Sequence, residues 1–324
     1  MGLLQAIAAV VTLLGTPIAA QPDPAEVLPS AAVDQTTTTD QVAIRTEDGD
    51  RMTVAVSVAG RGPYRFLVDT GSQRTVISRE LASQLRLASG RSATLHSVMG
   101  VNDVNTVHIP QLKVSSREFS VKDAPALRAS HIGADGMLGI DSLRSQRVLF
   151  DFKTKTMSIT PASRPMEPMD GDTIVVRARS RDGRLIFTQA KIADRKVTVI
   201  VDTGSQVTIA NPALRAMLSR RGYELPPERV MIQSVTGEQM YASMTKLPEL
   251  ELGGLKLQDL SVAFADAHIF RQLDLDKRPA LLLGMNAMKA FDRISIDFKS
   301  KKVRFVLPGT SMLPTLRLAS AGGR

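Results

Sequence analysis

From Val42 onward the chain is a succession of short apolar-rich runs cut by Gly, Pro, Asp and Asn. No stretch sustains the apolar spacing of a long helix. The pattern predicts strands over Val42 to Thr46, Arg51 to Val58 and Tyr64 to Val68. Between them lie Glu47-Asp48-Gly49-Asp50 and Gly60-Arg61-Gly62-Pro63, both turn chemistries. The same order returns as Thr173 to Arg179, Leu185 to Ile192 and Val197 to Val201. Ser78 is read as the cap of a short helix running to about Leu87. Asn211 is read as a second cap, with Pro212 at the first helical position, where its missing N–H costs nothing. The stretches around Gly100 and Gly237 read as hairpin tips, and Pro110 to Val121 and Pro248 to Phe264 as further strands. The class is mostly β.

The third strand of each half leads into the same pentapeptide. Val68-Asp69-Thr70-Gly71-Ser72 recurs as Val201-Asp202-Thr203-Gly204-Ser205. A given Asp-Thr-Gly-Ser arises by composition on the order of once in 10⁵ positions, so two in one chain point to duplication. Other landmarks keep the same order. Asp48-Gly49 and Asp182-Gly183 precede the motifs; Ser78 and Asn211 come after them at equal spacing. Ser97-Val98-Met99-Gly100 answers Ser234-Val235-Thr236-Gly237, and Ile109-Pro110 answers Leu247-Pro248. Met137-Leu138-Gly139-Ile140-Asp141 answers Leu282-Leu283-Gly284-Met285-Asn286, and Phe150-Asp151-Phe152-Lys153 answers Ile296-Asp297-Phe298-Lys299. A repeat this long is a duplicated lobe, not a solenoid or propeller unit.

The ends of the chain lack this order. Residues 1 to 20 carry no charge, and Leu3 to Leu14 is almost wholly apolar before Gly15 to Pro17 and the small residues Ile18-Ala19-Ala20. This is the layout of a secretory signal peptide cut near Ala20, short for a membrane span, with an uncleaved anchor as the alternative. Either reading predicts export, to the periplasm or the outside. The expected organisation is a signal peptide at 1–20, a flexible leader at 21–40, lobes at 41–162 and 172–308, a linker at 163–171 and a tail at 309–324.

Composition narrows the chemistry. The net charge is +9, but aromatic residues are 4% and Trp is absent, so the basic clusters lack the stacking partners of a nucleic-acid reader. There is no Cys, which excludes disulfides, thiolate zinc sites and a cysteine nucleophile. His96, His108, His131 and His268 show no paired ligand spacing. Neither a metal nor an organic cofactor is expected.

The doubled Asp is the candidate chemistry. A carboxylate leaving a strand into a Thr-Gly-Ser turn is held by nearby N–H groups. Two such loops related by a pseudo-twofold axis would bring Asp69 and Asp202 together. Close carboxyls do not both ionise readily; one can serve as general base on a water while its protonated partner acts on a carbonyl. The alternative of two ordinary β-turns leaves the matching landmarks unexplained. Asp141, Asp151 and Asp297 read as cap, edge or turn residues.

These residues resemble the aspartic proteases of pepsin and retropepsin type, over roughly residues 41 to 307. The layout is most similar to single-chain, retropepsin-like bacterial aspartyl proteases with two fused lobes. The resemblance implies a bilobal, mostly β acid-protease fold with few short helices. It implies Asp69 and Asp202 as the catalytic dyad, with Thr70 and Thr203 bonding across the loops, and Gly71, Ser72, Gly204 and Ser205 orienting the carboxyls. The apolar-Gly segments would run beneath the loops. The chain departs from pepsin in its short repeats, its lack of disulfides and a first hairpin tip without tyrosine. Its two Ser-Val-X-Gly tips look more like two flaps, with Val98, Met99, Gly100, Val235, Thr236 and Gly237 as candidate flap residues. Tyr241 is expected on its hairpin, outside any catalytic network. The implied function is a monomeric, exported endopeptidase acting on proteins or peptides. A non-catalytic peptide-binding protein on the same fold is the alternative.

Overall fold

The computed structural model describes residues 52–309, apart from 115, 116, 167, 168, 170, 182 and 227, and the backbone of short strands at 3–5, 9–12, 41–43, 45–46 and 315–317. The expected leader at 21–40 and the Asp48-Gly49 turn lie outside the described residues.

The two halves build the same sheet twice. In the first, the strands Met52–Val58, Arg61–Val68, Gly136–Leu138, Val76–Ser78, Arg117–Leu127 and Thr106–Val114 lie side by side in that order. In the second, Arg184–Ile192, Arg195–Val201, Ala280–Leu283, Thr208–Ala210, Leu255–Phe264 and Gln239–Leu252 repeat it. The first and last strands of each run also pair, Val58 with Leu112 and Lys191 with Glu251, so each sheet curls back on itself. The alternating burial of these strands places Val54, Val56, Phe66, Ile109 and Leu112 inside the first lobe, and Val197, Val199, Leu250, Leu257 and Val262 inside the second. One continuous apolar core links both lobes.

Helices are short, as the broken periodicity requires. Arg79–Gln84 begins on Ser78, whose side chain accepts from the Leu81 N–H; the helix ends earlier than the expected Leu87 because Arg86 takes a positive φ of 51°. Pro212–Ser219 begins on Asn211, which accepts from the Leu214 N–H, and at 8 residues it is the longest helix among the described residues.

The first hairpin differs from its expected form. Its turn is Ala59-Gly60, with φ of 50° and 72°, and Arg61 to Pro63 already belong to the next strand. Paired positive φ values suit the twist of a two-residue hairpin, and the Gly-Pro signal falls where a register shift comes after Val56. The tail, expected to lack pattern, contributes Thr315–Arg317 beside Lys256–Gln258. Residues 3–5 and 9–12, within the expected signal peptide, run along Thr94–His96 and Met231–Ser234.

A third sheet joins the lobes. Gln146–Asp151 of the first pairs antiparallel with Arg293–Asp297 of the second, so that Arg147 faces Asp297 and Asp151 faces Arg293. The repeat's own landmark aspartates thus bond the other copy's arginines, at 3.4 Å for Arg147–Asp297 and 3.7 Å for Arg293–Asp151. This is what a pseudo-twofold axis through the sheet produces. It fixes the two lobes in one register and brings their motif loops face to face.

Candidate active site

Each motif loop hangs from a fixed frame. Val68 and Val201 end strands that run parallel to Gly136–Leu138 and Ala280–Leu283, with Leu138 and Leu283 directly opposite them. The frame continues past the strands: Asp69 N–H donates to Leu138 O at 3.0 Å and Asp202 N–H to Leu283 O at 3.1 Å. Ile140 N–H and Met285 N–H then return bonds to Ser72 O and Ser205 O at 2.9 and 2.8 Å. Gly139 and Gly284 permit this close passage, because a Cβ at either would lie within 2.6 Å of the backbone of Arg74 or Val207. Asp141 receives Thr75 N–H and hydroxyl, and Asn286 receives those of Thr208, so the two end residues of the repeated segment tie it down as structural acceptors.

Beneath the carboxyls the loops interlock. Thr70 N–H donates to Thr203 Oγ1 at 3.0 Å, and Thr203 N–H to Thr70 Oγ1 at 3.1 Å. Each hydroxyl in turn donates a hydrogen bond across the axis, Thr70 to Val201 O and Thr203 to Val68 O. Both threonines are buried, so this four-bond square is shielded from water.

Above it sit Asp69 and Asp202, both fully buried. Asp69 Oδ1 accepts from Gly71 N–H at 2.8 Å and Ser72 N–H at 2.9 Å, while Asp202 Oδ1 accepts from Gly204 N–H at 2.9 Å. Gly71 lies against the opposite carboxyl: a Cβ there would stand 2.6 Å from Asp202 Cγ, and one on Gly204 would stand 2.4 Å from Asp69 Cγ. The loop glycines therefore set how closely the two carboxyls approach. Ser72 and Ser205 send their hydroxyls back to Arg74 O and Val207 O, so the serine side chains brace the turn; Ser72 meets its aspartate through the backbone.

Burial and mutual repulsion govern the acidity of the pair. Loss of hydration, then the charge of Asp202, push Asp69 well above the carboxylate range. Loss of hydration also raises Asp202, to about 6, but the hydrogen bond from Asp69, the Gly204 N–H and the Arg184 cation hold it lower. The pair therefore holds a single proton at intermediate pH and titrates jointly.

The candidate flap residues cross to the opposite lobe. Val98 is buried among Ile186, Ile200, Ile209 and Phe270 of the second lobe, and Val235 among Leu67, Val76, Leu95 and Met137 of the first. Ser97 Oγ accepts from Met99 and Gly100 N–H groups and shapes the first tip. In the second, Ser234, Thr236 and the Asn102 amide of the first flap all bond Glu238. Gly237, at φ 95°, packs against the His131 ring; a Cβ there would stand 2.3 Å from it. Val98 O accepts from His268 N–H at 2.6 Å, and the His96 and His268 rings share a 3.0 Å hydrogen bond. Tyr241 is 59% exposed beneath the Arg229 guanidinium, away from the dyad.

Arg184, Asn102, Glu238 and the His96–His268 pair were not singled out as site residues by sequence. Each is an ordinary polar residue of a strand, hairpin or short helix, and only the crossing of the lobes brings Arg184 to the Asp69 loop and the others to the hairpin tips or to each other. Among the described residues no group of three or more His, Asp or Glu could hold a metal ion.

Comparison with known families agrees with this geometry. Residues 54–145 match the model of the gag-polyprotein aspartyl protease family, and residues 188–287 match that of a second aspartyl protease family. No curated protein gives a significant match to the chain. One match falls in each lobe and each contains one of the two motifs, and together they span more than half of the sequence. The chain belongs to the aspartic proteases, as a single-chain, retropepsin-like member with two tandem lobes.

Proposed function

We propose that the chain is an exported, monomeric endopeptidase that hydrolyses internal peptide bonds with a water activated by Asp69 and Asp202. The observation that carries this reading is the pair of buried carboxyls, each with its Oδ1 held by its own loop and its flank against the glycine of the other. A shared proton between two carboxyls is the established pattern of aspartic proteases generally.

Asp202, whose ionised form the Arg184 charge favours, is assigned as the base and Asp69 as the acid. Asp202 takes a proton from the water as its oxygen bonds the scissile carbonyl carbon, and Asp69 gives its proton to the carbonyl oxygen. The tetrahedral diol collapses as Asp202 gives its new proton to the amide nitrogen, a diol hydroxyl returns a proton to Asp69 and the C–N bond breaks, leaving one acid and one amine product and the dyad as it began. The substrate would lie extended beneath the flaps, which must open to admit it. No metal or organic cofactor enters these steps. Export rests on the apolar, uncharged residues 1 to 20.

Mass spectrometry of a peptide-library digest across pH tests the proposal, with Asp202→Asn as control. Cleavage should rise as the pH passes about 6, where Asp202 ionises, and fall at higher pH as Asp69 loses its proton. Cleavage that persists in the control, or none by the wild type at any pH, would sink the reading; in the second case a peptide-binding protein is left.

A further inference from the structure

Arg184 opens the strand Arg184–Ile192 of the second lobe, and it heads the largest fully buried side chains of the described molecule. Its Nε donates to Gly71 O at 2.9 Å. That carbonyl belongs to the first lobe's motif loop, two residues from Asp69, in the turn whose Gly71 and Ser72 N–H groups hold Asp69 Oδ1. The same Gly71 lies against the Asp202 carboxyl. A guanidinium stays protonated at any working pH, so a permanent positive charge is fixed within the water-excluded floor of the site. Burying a charge is costly, and a guanidinium placed here gains a counter-charge when the dyad carries its single negative charge. Its field reaches both Asp202 and His96. The repeat carries the same residue type at the same place, since Arg51 precedes Asp69 by the spacing with which Arg184 precedes Asp202, though Arg51 is outside the described residues.

We propose that Arg184 is a positioning residue of the dyad: it clamps the Asp69 loop from the opposite lobe and supplies the fixed positive charge against which one carboxyl stays ionised. This rests on Asp69 and Asp202 being the working pair. The residue acts through the carboxyls and touches neither the water nor the scissile bond. Its consequence is a working range that extends further toward acid than a buried carboxyl pair alone would allow, because the base remains charged at lower pH.

The test is the pH profile of kcat/KM for full-length Arg184→Met, Arg184→Gln and Arg184→Lys beside the wild type. The acid limb should move up by about one pH unit or more in the Met and Gln variants, and Lys should restore it. Met replaces a buried cation by an apolar chain of similar reach, a change that cores often tolerate; Gln keeps a donor for Gly71 O if Met does not fold. Activity that falls equally at every pH, with the limb unmoved, would mean that Arg184 only braces the loop and would overturn the proposal. Carbon-13 titration of aspartate-labelled wild type and Arg184→Gln gives a readout independent of turnover. If the wild type cleaves nothing, the functional reading fails by itself. An upward move of the dyad titration still supports the role of Arg184, and an unmoved titration overturns it.

Discussion

The two motif loops are identical in sequence from Val through Ser, yet their carboxyls are not alike. Both draw on the N–H groups of their own Gly and Ser. Asp202 lies in reach of the Arg184 charge, which favours its ionised form, whereas the charge of Asp202 itself pushes Asp69 up. A duplicated motif fixes backbone geometry, but acidity is set by what surrounds the carboxyl. The same holds for the lobe-joining sheet: Arg147–Asp297 is nearly buried, at 11% and 5% exposure, while its repeat mate Arg293–Asp151 is more open, at 27% and 18%. Symmetry of sequence thus supplies equal parts, and burial ranks them.

The largest expected effect treats the two carboxyls alike in rate. Asp69→Asn and Asp202→Asn should each lower kcat/KM by roughly 10³-fold or more, because neither half of the acid–base pair works alone. A single variant with wild-type turnover would break the shared-proton mechanism. Stability should respond in the opposite sense. A carboxyl whose folded pKa is raised contributes stability below its ordinary value and loses that contribution as the pH climbs through the folded value. For Asp202 this window runs from about 4 to about 6. The Asn variants lack this loss, so their Tm relative to wild type should improve from acid to neutral pH. Calorimetry showing the reverse trend would argue against raised pKa values in the pair.

Next come the ion pairs of the joining sheet. Arg147→Met strands a buried Asp297 and should cost about 3 kcal/mol in urea unfolding. Arg293→Met removes a more exposed partner and should cost under about 1 kcal/mol. Equal costs would deny that burial separates the pairs. Burial tends to raise Asp297, yet the Ser300 N–H and Arg147 bonds outweigh it and hold the carboxyl below its ordinary range. Its contribution is therefore present above that range and fades as the pH falls.

The threonine square should respond on a scale between these two ion pairs, and it should be non-additive. Thr70→Val and Thr203→Val each leave a buried N–H and a carbonyl without their bonds, at about 1 to 3 kcal/mol. The double variant should cost less than the sum of the two, since the four bonds share their members. Strict additivity in denaturant unfolding would mean two independent bonds per loop.

Much of the architecture was legible because duplication marks itself. The positions of Ser78 and Asn211, the tips at Gly100 and Gly237, and the strands leading to both motifs arise from local chemistry repeated at matching spacing. The misplaced first turn shows the weakness of local reading. Gly62-Pro63 carries a turn signature, but the strand pairing of Arg61 with Val58 puts the turn at Ala59-Gly60. The flap tips were legible as tips and not as crossed latches, since nothing in Ser97 to Gly100 says that Val98 will be buried in the other lobe.

The sequence by itself determined a doubled, mostly β unit and the two Asp-Thr-Gly-Ser loops, because strand periodicity, turn residues and caps are written in consecutive positions. Tertiary structure alone decided that the two carboxyls are buried together, that Gly71 and Gly204 set the approach of the opposite aspartates, that Arg184 bonds the Asp69 loop, and that His96 meets His268 across the lobes. Those outcomes depend on desolvation and on contacts between residues more than a hundred positions apart. Such terms arise only when the lobes close on each other.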